Sequence, residues 1–232
     1  MKTKLTIIAI LFTIACVQAQ DTKIKHFEIN VSANFWTPSS SHLKATNSVT
    51  QIHINDNYIS DGGISGYGTS IAPKIDLTYY FNNRLGISLG FYPLIMDNKL
   101  NIQKTDTSFV NYENEAFMAN FTLGLAGKIP TSTIMTLYYG FGFNFVANYD
   151  LEKKVSTQNS NPPDIEANGM TGGLYLKTGI KIKLNKFLSL ISGIEYSFIP
   201  AELEYANSEG VKINEKTNLG GIGLQTGLSF NF

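Results

Sequence analysis

The chain has 232 residues, with 18 basic and 18 acidic side chains and a single cysteine, Cys16. Balanced charge and a single arginine, Arg84, provide no basic surface, which excludes nucleic acid as an expected partner. One cysteine allows no intrachain disulfide, and the length suits one domain of an all-β protein.

The N-terminus has the three parts of a secretory leader. Lys2 and Lys4 supply the positive charge, an apolar stretch covers residues 5–15, and small residues precede a cleavage site after Ala19. The apolar stretch is too short for a membrane-spanning helix, which needs about 20 residues. We therefore predict a signal peptide at residues 1–19 and one domain at residues 20–232.

Cleavage after Ala19 removes two lysines and no acid, which leaves 16 basic against 18 acidic residues. It also removes Cys16, so no thiol chemistry is expected in the mature chain. The alternative is that Cys16 is lipidated, although Thr13-Ile14-Ala15 before it is a poor lipoprotein signal.

Period-two alternation of apolar and polar residues recurs along the rest of the chain, whereas helical periodicity is hard to find. Phe27, Ile29 and Val31, for example, alternate with Glu28 and Asn30. The predicted fold is all-β, with eight strands at residues 27–36, 71–81, 85–96, 115–129, 138–145, 174–183, 187–198 and 221–232.

The connections between these strands alternate between short and long. Short turns are predicted at residues 82–84, 130–133 and 185–186, and long polar loops at residues 37–70, 97–114, 150–169 and 199–218. Short turns at one end and long loops at the other are typical of an antiparallel up-and-down transmembrane barrel, with the turns periplasmic and the loops external.

The two faces of the strands favour a membrane barrel over a soluble, lipocalin-like one. Small residues on the polar face suit the narrow interior of an eight-stranded barrel. Aromatic rings near the strand ends of the apolar face match the interfacial girdles of membrane barrels. We place Phe35, Tyr149 and Phe198 at the outer rim, and Tyr79, Phe81, Phe230 and Phe232 at the periplasmic rim.

Strand parity turns a set of charged residues towards the barrel interior, where charges persist only if they are paired or hydrated. A turn at residues 185–186 places Lys177 directly across from Glu195, so we expect these two to pair. Asp76 faces Gly90 and has room to reach a lysine. The network forms either a plug or a narrow solute path. Its predicted members are Lys74, Asp76, Lys177, Lys181 and Glu195.

Candidate chemistry is sparse elsewhere. The three histidines precede the first strand or lie in the first long loop, without a serine held beside them on a strand. Oxygen-rich residues in that loop fit turn chemistry better than a calcium site. We therefore expect no enzyme, no cofactor and no metal. The three histidines are His26, His42 and His53, and the oxygen-rich loop residues are Asn55, Asp56, Asn57 and Asp61.

In the last strand the even positions from Ile222 onwards are apolar, and the chain ends on Phe232. Leu228, Phe230 and Phe232 are our candidate C-terminal assembly signal. Together with the leader and the loop asymmetry, this strand resembles the small eight-stranded outer-membrane barrels, such as the OmpA transmembrane domain, OmpX, OmpW and PorT-like proteins. The resemblance implies the outer membrane of a Gram-negative bacterium, and it implies lipids and the barrel assembly machinery as partners.

Such barrels have several functions. Our first expectation is a non-enzymatic barrel with a polar plugged interior and external loops that form a structural or interaction surface for an unidentified partner. The alternative, implied by the OmpW resemblance, is a channel or transporter for small or hydrophobic solutes, which a lateral opening or an apolar lumen would favour. A lipid-modifying enzyme is the third.

Overall fold

The computed structural model describes residues 27–38, 58–60, 69–104, 109–157, 165–206 and 212–232. They form eleven strands: β1 (Phe27–Pro38), β2 (Tyr58–Ser60), β3 (Ser70–Tyr80), β4 (Leu85–Lys104), β5 (Phe109–Pro130), β6 (Met135–Thr157), β7 (Ile165–Lys183), β8 (Leu188–Phe198), β9 (Pro200–Ala206), β10 (Lys212–Asn218) and β11 (Gly221–Asn231).

Eight of the strands close into an antiparallel barrel. Each pairs with its neighbour along the chain, β1 pairs with β11, and the ring order is β1, β3, β4, β5, β6, β7, β8, β11. The remaining strands extend this wall, because β2 pairs with β4, and β9 and β10 form a hairpin between β8 and β11. The predicted eight-stranded all-β barrel is confirmed.

The three short connections lie at one end of the barrel, called here the turn end, and a side-chain oxygen organises each of them. Asn82 Oδ1 accepts hydrogen bonds from the backbone N–H groups of Arg84 and Leu85, both at 2.8 Å. Asn185 and Ser132 accept corresponding bonds in the other two turns. Such side-chain bonds fix tight turns. The opposite end is called the loop end.

The outer wall is apolar. Phe143 and Ile71, for example, each expose 69% of their surface on it, and large aliphatic and aromatic residues surround them on every barrel strand. A continuous apolar band of this kind suits lipid and not water. The fold is therefore that of a transmembrane barrel. Among the described residues, no helix is both long and apolar enough to cross a bilayer.

Glycines on the inner wall make room for large interior side chains. A Cβ atom at Gly179 or Gly193 would clash with the hydroxyl of Tyr138, which crosses the lumen from β6. Glycine on these facing strands therefore lets an aromatic ring lie against the backbone, as expected for a narrow barrel.

Four neighbouring strands continue past the apolar band at the loop end: β4, β5, β6 and β7 have 19 to 23 residues. An extra residue at Ala147 shifts the register of β6, since Asn120 pairs with Val146 and Ala119 with Asn148. This bulge reverses which side chains face inward. The placement of Tyr149 on the outer rim is therefore wrong, because its side chain is buried in the lumen.

Candidate functional site

The turn-end half of the lumen holds three buried ion pairs and is called here the charged half. Lys74 pairs with Glu195, Lys181 pairs with Glu28, and Lys177 Nζ lies 3.2 Å from Asp76 Oδ1. All six side chains are at most 8% exposed. The five predicted network residues are therefore brought together inside the barrel, with Glu28 as a sixth member.

The predicted pair of Lys177 with Glu195 is wrong in its partners. The register does place the two residues opposite each other on β7 and β8. However, Glu195 binds Lys74 of β3, and Lys177 binds Asp76 of the same strand. Because β3 and β7 stand opposite each other in the ring, long side chains meet across the narrow lumen and not along the wall.

The charged half leaves little free space. A cavity of about 10 Å³, enough for about one water molecule, lies among residues that include Glu28, Asp76, Lys177 and Lys181. Tyr138 fills part of the cross-section, and its hydroxyl accepts a hydrogen bond of 2.7 Å from Gln225. Ions and water thus meet paired charges and aromatic rings along this part of the axis.

The loop-end half of the lumen is apolar, a feature that the sequence did not predict, and it is called here the apolar half. Its side chains come from six barrel strands and from the β9–β10 hairpin region, and all of them are buried. They are Trp36, Ala72, Tyr92, Leu94, Met96, Ala116, Met118, Val146, Tyr149, Leu151, Ala167, Ile199, Ala201, Leu203 and Leu219.

Tyr92 lies at the boundary between the two halves. The Lys74 ammonium group lies 4.7 Å from the centre of its ring, and the centre of the Trp36 ring lies 6.0 Å from it. Its hydroxyl accepts a hydrogen bond of 2.9 Å from Asn144, and Asn120 is its neighbour on β5. We call Asn34, Trp36, Asn120 and Asn144 the polar girdle.

The barrel wall is interrupted beside Tyr92. Pairing of β3 with β4 runs from Tyr80–Gly86 to Ile75–Phe91 and ends there, although both strands continue towards the loop end. In the same register, Pro73 would face Pro93. We call the unpaired stretch, residues 70–74 of β3 and 92–96 of β4, the seam.

Proline explains why the ladder stops. The Ile95 carbonyl faces β3, because it accepts a hydrogen bond of 2.6 Å from the Ser70 hydroxyl. Backbone groups of alternate residues point to the same side of a strand, so the backbone nitrogen of Pro93 also faces β3. Proline has no N–H, and neither Pro73 nor Pro93 can donate a ladder bond. A side-chain hydroxyl then holds part of the seam together.

The remaining predicted residues fall in two groups. Leu228 and Phe230 face outward on β11, and Phe232 follows that strand with 62% of its surface exposed, but their role as an assembly signal stays a prediction. The three histidines, Cys16, the predicted cleavage site after Ala19 and the acidic loop residues lie outside the described residues.

Comparisons with known proteins bear on the fold. No family model matches the sequence, and no curated protein matches it. The outer-membrane protein OprG from Pseudomonas aeruginosa superposes with a TM-score of 0.57 at 12% identity, over 90% of this chain and 99% of OprG. Neisserial surface protein A superposes with a TM-score of 0.43 at 12% identity, over 89% of this chain and 97% of that protein. The OmpT protease from Escherichia coli superposes with a TM-score of 0.46 at 5% identity, over 93% of this chain and 99% of OmpT.

The likeness to OprG covers nearly the whole of both chains, and a closed eight-stranded barrel with an apolar outer wall accounts for it. At this level of identity the comparison bears on the fold alone. The resemblance predicted from the sequence is thereby confirmed: the chain has the fold of the small eight-stranded outer-membrane β-barrels.

Proposed function

We propose that this protein is a conduit through which small apolar molecules pass from outside the cell into the membrane. The molecule enters the apolar half at the loop end and leaves sideways through the seam between β3 and β4. The observation that carries the proposal is the interrupted β3–β4 ladder beside the apolar half. An opening in the wall and an apolar lumen are the two features that favour transport over surface display.

An interrupted ladder is costly in a lipid-facing wall. Backbone N–H and C=O groups in a bilayer have no water to bind, so spanning barrels normally pair every strand. Ile71 and Ile95, which belong to the seam, are each 69% exposed on the apolar outer wall, so the seam lies at the depth of the lipid. Retaining two facing prolines there is easier to understand if the wall must open.

The difference between the two halves of the lumen determines the path that an apolar molecule takes. An apolar molecule gains by leaving water for the apolar half, at roughly 25 cal/mol per Å² buried. It gains nothing from the charged half, where three ion pairs would have to part. Met96 and Met118 are flexible enough to rearrange around different shapes. The seam offers the remaining way out.

A reversible lock across the seam tests the proposal. Ala72 and Leu94 would face each other if the β3–β4 register continued, and both side chains point into the lumen. In the Ala72→Cys, Leu94→Cys variant on a Cys16→Ala background, oxidation should slow uptake of the apolar dye N-phenylnaphthylamine by cells. Reduction should restore the wild-type rate.

The matched control uses the same two strands. Thr78 and Ser88 are partners in the intact part of the ladder, and their hydroxyls lie 3.2 Å apart in the lumen. A Thr78→Cys, Ser88→Cys disulfide should leave dye uptake unchanged. Uptake that is equal in the oxidised and reduced Ala72/Leu94 variant, in protein shown to be folded by its heat-modifiable migration, would overturn the proposal.

A second function stays open: display of an interaction surface, as first expected. What favours it is the extension of β4, β5, β6 and β7 beyond the apolar band, which exceeds what a transmembrane wall of about 10 residues per strand requires. Replacing residues 98–114, the tips of β4 and β5 and their connection, by a two-residue Asn-Gly turn between the paired residues Asp97 and Glu115 tests it. Surface display predicts loss of partner adhesion. The conduit, whose apolar half and seam are left intact, predicts that both adhesion and dye uptake are retained.

A further inference from the structure

The polar girdle contains several buried polar atoms that have no hydrogen-bond partner in the protein. They are both side-chain polar atoms of Asn34, Nε1 of Trp36, and the Oδ1 atoms of Asn120 and Asn144. All four side chains are fully buried. An unpaired polar atom in such a place costs about 1–3 kcal/mol, so a cluster of them calls for a partner.

These atoms face a common region. Asn34 and Trp36 are on the same face of β1, and a Cβ atom at Gly223 of β11 would contact both of them. Trp36 and Asn144 both adjoin Tyr92, and Asn120 is paired with Tyr92 in the sheet. The girdle thus combines amide and indole N–H donors with amide oxygen acceptors.

The girdle is level with the start of the seam. Tyr92 is the first residue of β4 beyond the last β3–β4 pair, and the apolar half begins immediately above it with Leu94 and Met96. A molecule whose polar end is held at the girdle therefore places its apolar part in the apolar half, beside the unpaired wall.

We propose that the polar girdle binds the head of a neutral amphipathic molecule, an alkyl chain that ends in one hydroxyl, ester or amide group. The inference rests on the proposed function and specifies its solute. The girdle binds the head by hydrogen bonds while the chain fills the apolar half, and the chain leaves first through the seam.

The ion pairs of the charged half explain why the head is neutral. Lys74, Lys177 and Lys181 each have a carboxylate partner, so these six residues carry no net charge. A carboxylate or ammonium head would have to give up its water without gaining a counter-ion, which is strongly unfavourable. A hydroxyl, ester or amide head loses less hydration free energy, and its hydrogen bonds to the girdle replace those it made to water.

Trp36 makes the test direct, because it is the only tryptophan in the sequence. We would measure quenching of its fluorescence in bilayer nanodiscs by 2-bromododecan-1-ol, 2-bromododecane and 2-bromododecanoate, each titrated over the same range of mole fraction in the lipid. The bromine is on the second carbon of each probe, and the alkane differs from the other two by having no polar head. Two added hydrogen bonds should make half-quenching by the alcohol occur at about a tenfold lower mole fraction than by the alkane.

A matched pair of variants locates the effect. Asn34→Leu should bring the alcohol to the level of the alkane, and Asn120→Leu provides a second girdle variant if the first does not fold. Asn30 is on the same face of β1, four residues nearer the turn end. Asn30→Leu should therefore keep the preference for the alcohol.

The outcomes separate the inference from the proposed function. If alcohol and alkane quench Trp36 equally, or neither does, while dye uptake still depends on the seam, the girdle holds only water and the inference fails alone. Quenching by the carboxylate at the level of the alcohol would overturn the neutral head. If the seam lock has no effect and no probe quenches Trp36, both proposals fail.

Discussion

The two halves of the lumen differ in how they fill the same narrow space. In the charged half, long side chains meet in complementary pairs, and each residue depends on one partner across the barrel. In the apolar half, contacts are shared among many side chains of similar chemistry. A paired interior resists change at any single member, whereas an apolar interior can rearrange around a guest. This difference suggests which half closes the barrel and which half receives a solute.

The largest effect is expected from breaking one pair of the charged half. Glu195→Ala leaves Lys74 buried without its counter-charge and should lower the free energy of unfolding by about 3–5 kcal/mol. The temperature at which heat-modifiable migration is lost in detergent measures the change. An unchanged midpoint would show that the pair contributes nothing.

The control removes both charges at once. A Lys74→Met, Glu195→Leu variant has no uncompensated charge and should be far closer to wild type than either single change. If the double variant is as unstable as Glu195→Ala, volume and not charge governs this half of the lumen.

A medium effect is expected at the wall of the apolar half. Pro73→Val with Pro93→Val restores two N–H donors that face each other across the seam, so it should raise the free energy of unfolding by about 1–3 kcal/mol. It should also slow uptake of N-phenylnaphthylamine without any disulfide. Pro130→Val, at the turn end of β5, is the matched control, because it should change neither quantity. Greater stability with unchanged uptake would separate the seam from transport.

The smallest effect is expected from a charge outside the lumen. On the extended strands, Glu115 lies between Asp97 and Glu152, and Glu152 is paired with Glu166. Like charges directly opposite one another destabilise a sheet, so Glu115→Gln should stabilise the barrel by about 0.2–1 kcal/mol, and less in high salt. A large loss of stability would contradict this and would show that Glu115 contributes to stability as strongly as a member of a buried ion pair.

Period-two alternation predicted the barrel well, because one residue out of register would expose a whole strand face to the wrong medium. It failed at Tyr149, where the extra residue Ala147 reverses parity without any visible break in the sequence. It also set Lys177 opposite Glu195 correctly but could not show that both side chains reach across the ring.

The seam left a signal in the sequence that alternation alone does not reveal. Pro73 and Pro93 are each ten residues from Asn83 in the intervening turn, which puts them opposite each other in a hairpin. The polar girdle left a weaker one, since Asn34, Asn120 and Asn144 look like ordinary lumen residues. They come together around Tyr92 only because the strand register of the closed barrel places them at the same level along its axis.

Closure of the ring between β1 and β11 also has a consequence for how the chain folds. Every other hydrogen-bonded ladder of the barrel joins barrel strands that follow each other along the chain, whereas this one joins Glu28 to Asn231. The entropy of closing so long a loop makes this contact the slowest to form. Until it forms, β1 and β11 are open edges that can pair with any other strand in the cell. The last step of folding is therefore the one before which the open strand edges leave the protein most exposed to aggregation.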